Sequence, residues 1–394
     1  MIQLYFIKTF INKMNRLYSY SILLLLINSS FINSSFQISL FNQLNKKNKN
    51  KNVTISPLSI FQALSLATNG AKGETQVDLL KLLDKKEMEE INLINSNILS
   101  KIKDNSSLEI ANAIMSKLTP LPTFIKISKD KYLSDIQPLY NVQQINKWCD
   151  TKTHSKIKKI IDKLEPNIFM VILNAVYFKG QWINQFPKDL TTKKSFFNYG
   201  SKENESKIET MINTDYFSYY EDSNLQAIEL SFRKDSMFAL IILPNDHLNI
   251  NDFIDIVDKD NEYIYTIINN LKYVKVHIEM PKFEIEYKES LKKVIMEMGV
   301  HLAFNNKADF SNIRAQNDLL IDDIIHKTYL KVNEEGTEAA AITMIEMDEG
   351  FIEPIEKEKI YKMIINRPFM FLIGNRRLPK NNDIVFLSKV EEIN

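Results

Sequence analysis

The sequence predicts a mixed α/β fold of the α+β type, built as one large domain. Helical periodicity dominates the first part of the chain, whereas strand-like patterns dominate the middle and the C-terminal part. No internal repeat and no Pro/Gly/Ser-rich linker divides the 394 residues. Helices that precede mostly antiparallel strands are typical of this fold class.

The predicted helices come first. Phe36, Leu40 and Leu44 recur at i+4 spacing, which places their side chains on one face of a helix. The same pattern returns at 59–66 and 74–83, so three helices are expected before residue 84.

The predicted strands follow. Two segments are nearly continuous apolar runs, two alternate between apolar and polar residues, and the last two are joined by a polar turn. In chain order these pairs of segments are 170–178 and 237–243, then 274–280 and 283–287, then 369–373 and 384–387.

Composition excludes several classes of function. Fifty basic and 49 acidic residues leave a net charge of +1, which argues against nucleic acid or an anionic membrane as the main partner. One cysteine, Cys149, excludes an internal disulfide or an iron–sulfur cluster, and we expect a buried free thiol. With five scattered histidines and no GxGxxG loop among eight glycines, neither a metal nor another cofactor is expected.

Residues 1–28 resemble a secretory signal peptide. Lys8, Lys13 and Arg16 precede the short apolar run 22–27, and small polar residues follow it. The expected mature domain is therefore 29–394, in a secreted protein. The alternative is a buried first helix and a cytoplasmic protein.

Asn52, Asn105 and Asn204 each begin an N-glycosylation sequon. They would make the protein a glycoprotein only if it enters the secretory pathway.

The segment 331–343 is unusual, because a strand-like start runs into two acids, one glycine and a series of small residues. Read as a strand, it keeps one face free of charge, although the following loop is acidic. That face consists of Thr337, Ala339, Ala341, Thr343, Ile345 and Met347. The alternative interpretation is an alanine-rich helix that begins at a capping Thr337.

Five motifs, in the same order along the chain, resemble those of the serpin family of protease inhibitors, and the resemblance covers about residues 29–394. They are Ile55-Ser56-Pro57-Leu58-Ser59-Ile60; Asn146-Lys147-Trp148 with Thr153 and Lys156-Ile157; Asn174-Ala175-Val176-Tyr177-Phe178-Lys179-Gly180-Gln181-Trp182; Ala308-Asp309-Phe310-Ser311; and Asn366-Arg367-Pro368-Phe369 with Phe371-Leu372-Ile373. The segment 331–343 resembles the hinge of the same family.

The resemblance implies one domain with three β-sheets, eight to nine helices and a metastable native state. It also implies an exposed reactive-centre loop at about 337–359. After cleavage, the N-terminal part of such a loop inserts into the main sheet as a new strand. Insertion carries the acyl-bound protease across the molecule and traps it as a covalent ester.

Roles for individual residues follow from the resemblance. Gly336 would give the hinge a flexible backbone, and Thr337 would enter the sheet first. Small residues at 339 and 341 would fit where volume is limiting, which favours an active inhibitor. The complete predicted hinge is Glu334, Glu335, Gly336, Thr337, Glu338, Ala339, Ala340, Ala341 and Thr343.

A second group matches the family's shutter and breach, where the central strands must part. A polar network there can exchange hydrogen-bond partners as a strand enters. The predicted shutter residues are Ser56, Ser59, Asn174 and His326, and the predicted breach residues are Lys179 and Trp182. The simpler interpretation of His326 is a core histidine whose hydrogen bonds are satisfied. For Lys179 and Trp182, the simpler interpretation is ordinary packing.

The resemblance leaves two candidate positions for the scissile bond. Fourteen residues after Gly336, the usual spacing in the family, lies the bond between Gly350 and Phe351. Counting back from Asn366 gives Lys357 and Glu358 instead, because the loop is about seven residues longer than usual. That excess adds roughly 23 Å of slack at ~3.3 Å per residue, so trapping favours Gly350.

The sequence therefore predicts a serine protease inhibitor, with a cysteine protease as a possible second type of target. It would form a covalent 1:1 complex as a suicide substrate and is expected to be monomeric. The alternative is a non-inhibitory serpin, such as a carrier, chaperone or storage protein. An enzyme is not expected, because no Ser/His/Asp or Cys/His set occurs in a recognisable setting.

Overall fold

A computed structural model describes residues 35–102, 108–233, 236–260, 262–337 and 359–394. The predicted signal peptide, Asn105 and loop residues 338–358 lie outside these ranges. Within them, nine α-helices are found: α1 (Phe36–Lys47), α2 (Pro57–Gly70), α3 (Gly73–Leu82), α4 (Met88–Ile102), α5 (Pro122–Tyr132), α6 (Val142–Lys152), α7 (Ile250–Lys259), α8 (Tyr263–Asn270) and α9 (Lys292–Glu297).

Sixteen strands are also found in these ranges. They are β1 (Val53–Ile55), β2 (Leu108–Ser116), β3 (Asp135–Pro138), β4 (Met170–Phe178), β5 (Gly180–Gln181), β6 (Thr192–Phe197), β7 (Glu205–Glu221), β8 (Leu225–Ser231), β9 (Met237–Pro244), β10 (Lys272–Pro281), β11 (Phe283–Ser290), β12 (Asp323–Val332), β13 (Gly336–Thr337), β14 (Tyr361–Ile364), β15 (Phe369–Asn375) and β16 (Ile384–Val390). The three helices and six strands predicted from periodicity are all present.

The strands form three sheets, which confirms the predicted α+β architecture. The main sheet has five strands in the order β11-β12-β4-β2-β3. A nine-stranded sheet has the order β1-β16-β15-β9-β8-β7-β10-β14, with β6 paired to β7. The short pair β13-β5 forms the third sheet.

The centre of the main sheet is a parallel pair, β12 on β4. We call it the seam: residues 323–329 pair with residues 171–177, and His326 lies opposite Asn174. Since two parallel strands pair here without a strand between them, a chain that turned back after β12 would be antiparallel to both.

Both faces of β4 are buried, which explains its continuous apolar run. Residues 170, 172, 176 and 178 join the large core between the main sheet and the nine-stranded sheet. Residues 171, 173 and 175 join a smaller core with α6, the segment 157–161 and Ile325 of β12. Helix α6 and the chain after it therefore cover the outer face of the seam.

Cys149 of α6 is buried in this smaller core as a free thiol, as the sequence predicted. Burial raises the pKa of this thiol to about 12, although the nearby Lys327 ammonium opposes the shift. The thiol therefore stays protonated and unreactive at neutral pH.

Side-chain caps are found at the starts of α2, α6 and α7 in the described chain. Ser56 caps α2 by accepting a hydrogen bond from the Ser59 amide, and Pro57 occupies the first turn. This cap also fixes the two serines beneath the seam. Across all the described ranges, none of the helices has the length and apolar character needed to span a bilayer.

Candidate functional site

The predicted shutter residues do lie together, buried beneath the seam. Asn174 of β4 accepts a hydrogen bond from His326 Nδ1 at 2.5 Å and donates to Ser59 Oγ. His326 Nε2 accepts from the Ser56 backbone N–H at 3.2 Å. The network therefore joins both strands of the seam to the start of α2.

Full burial lowers the pKa of His326 to about 3, so the imidazole is neutral. Its two nitrogens play opposite parts: Nδ1–H donates to Asn174 and Nε2 accepts from Ser56. The ring is a satisfied core histidine, as the simpler interpretation had it. It is also a hydrogen-bond donor placed on the seam.

The hinge begins directly beyond the seam. Strand β13 pairs antiparallel with β5, with Gly336 opposite Gln181 and Thr337 opposite Gly180. The Thr337 hydroxyl accepts a hydrogen bond from the Gly180 amide at 2.8 Å, and its side chain is fully buried. Thr337 thus already lies buried in a strand, whereas the resemblance implied an exposed loop from this residue onward.

Gly336 is required by close packing as well as by backbone conformation. Its φ is +139°, a value that side-chain-bearing residues rarely adopt. A Cβ atom at this position would lie 2.0 Å from the Gly180 carbonyl oxygen. The sequence indicated flexibility here, whereas the structure shows a position where only glycine fits.

Glu334 anchors the turn between β12 and β13. Its carboxylate accepts hydrogen bonds from Thr191 Oγ1 at 2.9 Å and pairs with Lys282 at 3.2 Å. Burial alone would raise the pKa of Glu334, but backbone and side-chain hydrogen bonds and the Lys282 charge outweigh it, and the pKa lies below its usual range. Glu335 pairs with Lys188 at 2.5 Å in the same turn.

Trp182 closes the end of the seam, but Lys179 is not part of this contact. The indole stacks on Phe232 with ring centroids 4.4 Å apart and donates to the Asn333 carbonyl at 3.1 Å. Lys179 is exposed, and within the described ranges its ammonium forms neither an ion pair nor a hydrogen bond.

Several residues that contribute to the shutter network and the hinge were not predicted from the sequence. Asn112 of β2 accepts from Asn174 Nδ2 at 2.6 Å and belongs to the shutter network, and an asparagine within the apolar run 110–115 was the available signal. Thr191, Lys188 and Lys282 bind the hinge from distant parts of the chain, and no local pattern marks them.

The remaining predicted site residues lie outside the described ranges. They are Glu338, Ala339, Ala340, Ala341 and Thr343 of the hinge, and the scissile candidates Gly350, Phe351, Lys357 and Glu358.

Comparison with known proteins agrees with the resemblance seen in the sequence. Residues 32–393 match the family described as Serpin (serine protease inhibitor). Intracellular coagulation inhibitor 2 of Tachypleus tridentatus is 31% identical over 88% of this chain and 87% of its own length. Leukocyte elastase inhibitor A of Mus musculus is 29% identical over 92% and 98%.

Among solved structures, human thyroxine-binding globulin in complex with thyroxine aligns with a TM-score of 0.81 and 27% identity, covering 92% of this chain and 97% of that one. The chain belongs to the serpin family. This is a family of non-enzymatic protease inhibitors, so the chain is not an enzyme, and target proteases in general are the partners that the family implies.

Proposed function

We propose that the chain inhibits a serine protease as a suicide substrate, by cleavage of its loop and insertion of the loop into the main sheet. The pairing of β13 with β5 carries this proposal. It holds the start of the loop at the end of the seam, antiparallel to β4, which is the direction that an inserted strand must take.

The register of β13 can be extended along both strands of the seam. Thr337 pairs with Gly180, so continuing the antiparallel register by six residues along β4 places Thr343 opposite Asn174. Asn333 of the β12 side bridges to Gly336, and continuing this antiparallel register by seven residues along β12 places Thr343 opposite His326. The two results agree, because His326 and Asn174 already pair with each other.

In this register the uncharged face of the loop would pack against the large core between the two sheets. Residues 339, 341, 343, 345 and 347 fall opposite residues 178, 176, 174, 172 and 170 of β4, most of which pack into that core. Paired residues in a sheet point to the same face. The small side chains of Ala339 and Ala341, opposite Phe178 and Val176, therefore suit a core that is already closely packed.

Insertion would exchange one hydrogen bond at the shutter for two others. The strand must break the bond between His326 and Asn174, and it brings the Thr343 hydroxyl between them. A hydroxyl both accepts and donates, so it would accept from His326 Nδ1–H and donate to Asn174 Oδ1. No buried polar group would be left unpaired.

The length of β4 also favours one of the two scissile bonds. An inserted strand that reaches Met170 ends at Met347. From there, Gly350 lies about 10 Å further along an extended chain, whereas Lys357 lies about 33 Å further. The shorter tether would hold an acylated protease against the end of the sheet, so we propose cleavage after Gly350.

The test is a gel combined with a mass spectrum. The purified chain is mixed with trypsin-, chymotrypsin- and elastase-like proteases, the last because a small residue at 350 suits such an enzyme and the mouse relative is an elastase inhibitor. We expect an SDS-resistant band at the summed mass and a released peptide that starts at Phe351. Clean cleavage without a band, especially after Lys357, would contradict the proposal for these proteases.

A second candidate is a non-inhibitory carrier. The long loop and the structural similarity to thyroxine-binding globulin favour it. A carrier of this kind would be cleaved without forming a covalent complex. If, in addition, the cleaved form gains no thermal stability over the intact form, the insertion mechanism does not apply here.

We also propose that the protein is secreted after removal of residues 1–28. Asn204 is exposed at the end of a short 3-10 helix, so it would accept a glycan. Asn52 would not, because its side-chain amide donates to the Glu392 carbonyl and accepts from two backbone N–H groups. N-terminal sequencing and glycosidase treatment of protein from secreting eukaryotic cells test this. An intact N-terminus, or retention inside the cell, would support the cytoplasmic alternative.

A further inference from the structure

A cavity of about 910 Å³ opens at the end of the nine-stranded sheet where β9 and β16 end and β15 begins. We call it the end cavity. It is lined by residues of the segments 45–50, 197–202, 244–252 and 366–368, by Asp255 and by Glu391. None of these residues belongs to the shutter, the breach or the hinge. Its volume falls in the range of small-molecule sites, roughly 300–1,000 Å³.

Glu391 lines the end cavity although it is only 4% exposed. Its Oε2 atom lies 3.1 Å from the Lys389 ammonium. The three N–H groups of that ammonium donate instead to the carbonyls of Asn48 and Lys49 and to Asn251 Oδ1. Lys389 therefore balances the charge of Glu391, but within the described chain Glu391 Oε2 receives no hydrogen bond.

Asn45 provides a second buried acceptor in the same cavity. It lies near the end of α1 and is 2% exposed, and its Oδ1 atom has no hydrogen-bond donor among the described residues. Buried polar atoms without a partner are rare and costly. Two of them at one cavity indicate a ligand that donates hydrogen bonds.

The charged side chains that line the end cavity cancel. Four are basic and four are acidic, with His247 counted as neutral. Two oppositely charged pairs form among them: Arg367 lies 3.2 Å from Asp246, and Lys46 lies 3.6 Å from Asp255. A ligand without net charge therefore suits the cavity as a whole.

Two lysines at the cavity are available to a ligand. Lys49 and Lys202 are exposed, and across the described ranges neither ammonium forms an ion pair. Asp252 does not neutralise them from a distance, since its carboxylate accepts from Asn249 in the first turn of α7, where a negative charge is stabilised. The accessible part of the cavity therefore offers positive charge, whereas its buried part offers acceptors.

One wall of the cavity has an unfavourable backbone conformation. Tyr199 has a φ of +58°, in the left-handed region that residues with side chains rarely adopt, and Gly200 follows with +69°. The Tyr199 N–H donates to the Glu391 carbonyl at 3.0 Å, and its hydroxyl donates to the Glu392 carboxylate. These bonds hold the connection between β6 and β7 beside Glu391, and such strained segments cluster at ligand sites.

We propose that the end cavity binds a small zwitterion of the amino-acid or short-peptide class. Its ammonium would donate to Glu391 Oε2 and Asn45 Oδ1, since an ammonium has three donors and no acceptor. Its carboxylate would pair with Lys49 and Lys202. An amine without an acidic group would add positive charge beside Lys389, and a simple anion would be repelled by Glu391.

The test is isothermal titration calorimetry of the purified chain without a protease. The probes are γ-aminobutyric acid, aminocaproic acid and triglycine, which are zwitterions of different length. Hexylamine, caproic acid and hexanediol are the matched controls, because they keep the carbon chain of aminocaproic acid and lack one or both charges.

We expect at least one zwitterion to bind with a Kd below about 1 mM. Where that ligand is aminocaproic acid, its three controls should bind at least about tenfold more weakly. At ten times its Kd, the ligand should raise the thermal midpoint by about 2 °C.

Two cavity variants locate the site. Asn45→Ala should weaken binding at least about tenfold and leave the fold intact, because the oxygen that it removes has no partner to lose. It is preferred to Glu391→Gln, which would leave the buried Lys389 without a counter-ion. Lys49→Gln with Lys202→Gln should weaken binding and remove its salt dependence.

The control for the lysine variant is Lys126→Gln with Lys129→Gln. Both lysines are exposed on α5, outside the cavity, so this variant removes the same charge and should bind as the unaltered chain does.

Three results would overturn the inference. If no zwitterion binds at about 10 mM, the cavity holds water only. If hexylamine or hexanediol binds as tightly as aminocaproic acid, the ligand class is wrong. If both cavity variants bind a zwitterion as tightly as the unaltered chain, the site lies elsewhere. No protease enters these measurements, so their outcome is independent of the proposed function.

Discussion

Replacement of Thr337 by arginine should convert the inhibitor into a substrate while the fold is retained. The Thr337 side chain is fully buried, and its hydroxyl accepts the hydrogen bond of the Gly180 amide at 2.8 Å. Because this contact lies at the start of the path that the loop would follow, a change here acts on the first step of insertion.

The size of the effect follows from these contacts. Removing only the hydroxyl, as in Thr337→Val, leaves the buried Gly180 N–H without a partner, which costs about 1 kcal/mol or more. Arginine adds the burial of a charged group, for a total of about 3 kcal/mol. In these variants the β13–β5 pair would open in the intact chain, and insertion must first close it again against this cost. At 1.4 kcal/mol per factor of ten, insertion should therefore slow about fivefold in the valine variant and about 100-fold in the arginine variant.

The assay is a titration of a fixed amount of protease with each variant, read as residual activity and as covalent complex on a gel. The number of inhibitor molecules consumed per protease should rise in the order threonine, valine, arginine. Thr337→Ser keeps the hydroxyl and serves as the control. The thermal midpoint of the intact variants should change by less than about 3 °C, since only the two-residue strand β13 is disturbed.

The opposite result would refute this reasoning. If Thr337→Arg consumed as little inhibitor per protease as the unaltered chain, the β13–β5 contact would not lie on the path of insertion.

Three further predictions concern other parts of the site and the core. Gly336→Ala should open the β13–β5 pair and raise inhibitor consumption, because its Cβ would lie 2.0 Å from the Gly180 carbonyl; hydrogen exchange of the Gly180 amide reports the opening, and unchanged protection would contradict it. Burial lowers the pKa of His326 from 6.5 to about 3, so between these values only the unfolded chain binds this proton and stability falls as pH falls. Urea unfolding at pH 7 and pH 5 should therefore show a larger loss in the unaltered chain than in His326→Gln, and equal losses would exclude this titration as the cause. Lys389→Met should cost about 3–5 kcal/mol in urea unfolding, since the fully buried ammonium donates to two carbonyls and an asparagine and pairs with the buried Glu391; a loss below about 1 kcal/mol would show that these groups find other partners.

Much of the fold was readable in the sequence, because apolar periodicity records which face of each element is buried. The run 170–178 is apolar at every position, and in the structure β4 is covered on both faces. The pattern indicated a strand but could not name its neighbours. The pairing with β12, some 150 residues away, required the structure.

Some residues of the candidate site could likewise be predicted from the sequence, whereas others could not. Ser56 and Ser59 were found because they stand in a local motif, and the α2 cap fixes their positions. Asn112 escaped notice, since a lone polar residue in a strand does not show which group it will meet. Lys389 also shows this limit, because a lysine in the last strand gives no local sign of complete burial.

The sequence by itself determined that a loop with one uncharged face follows a strand that ends in two acids and a glycine. Only the tertiary structure decided where that loop starts, since Thr337 is held by Gly180 and Glu334 by Thr191 and Lys282. The physical reason is that side-chain periodicity is set by local backbone geometry, whereas hydrogen bonds and ion pairs between distant segments depend on how the sheets pack together.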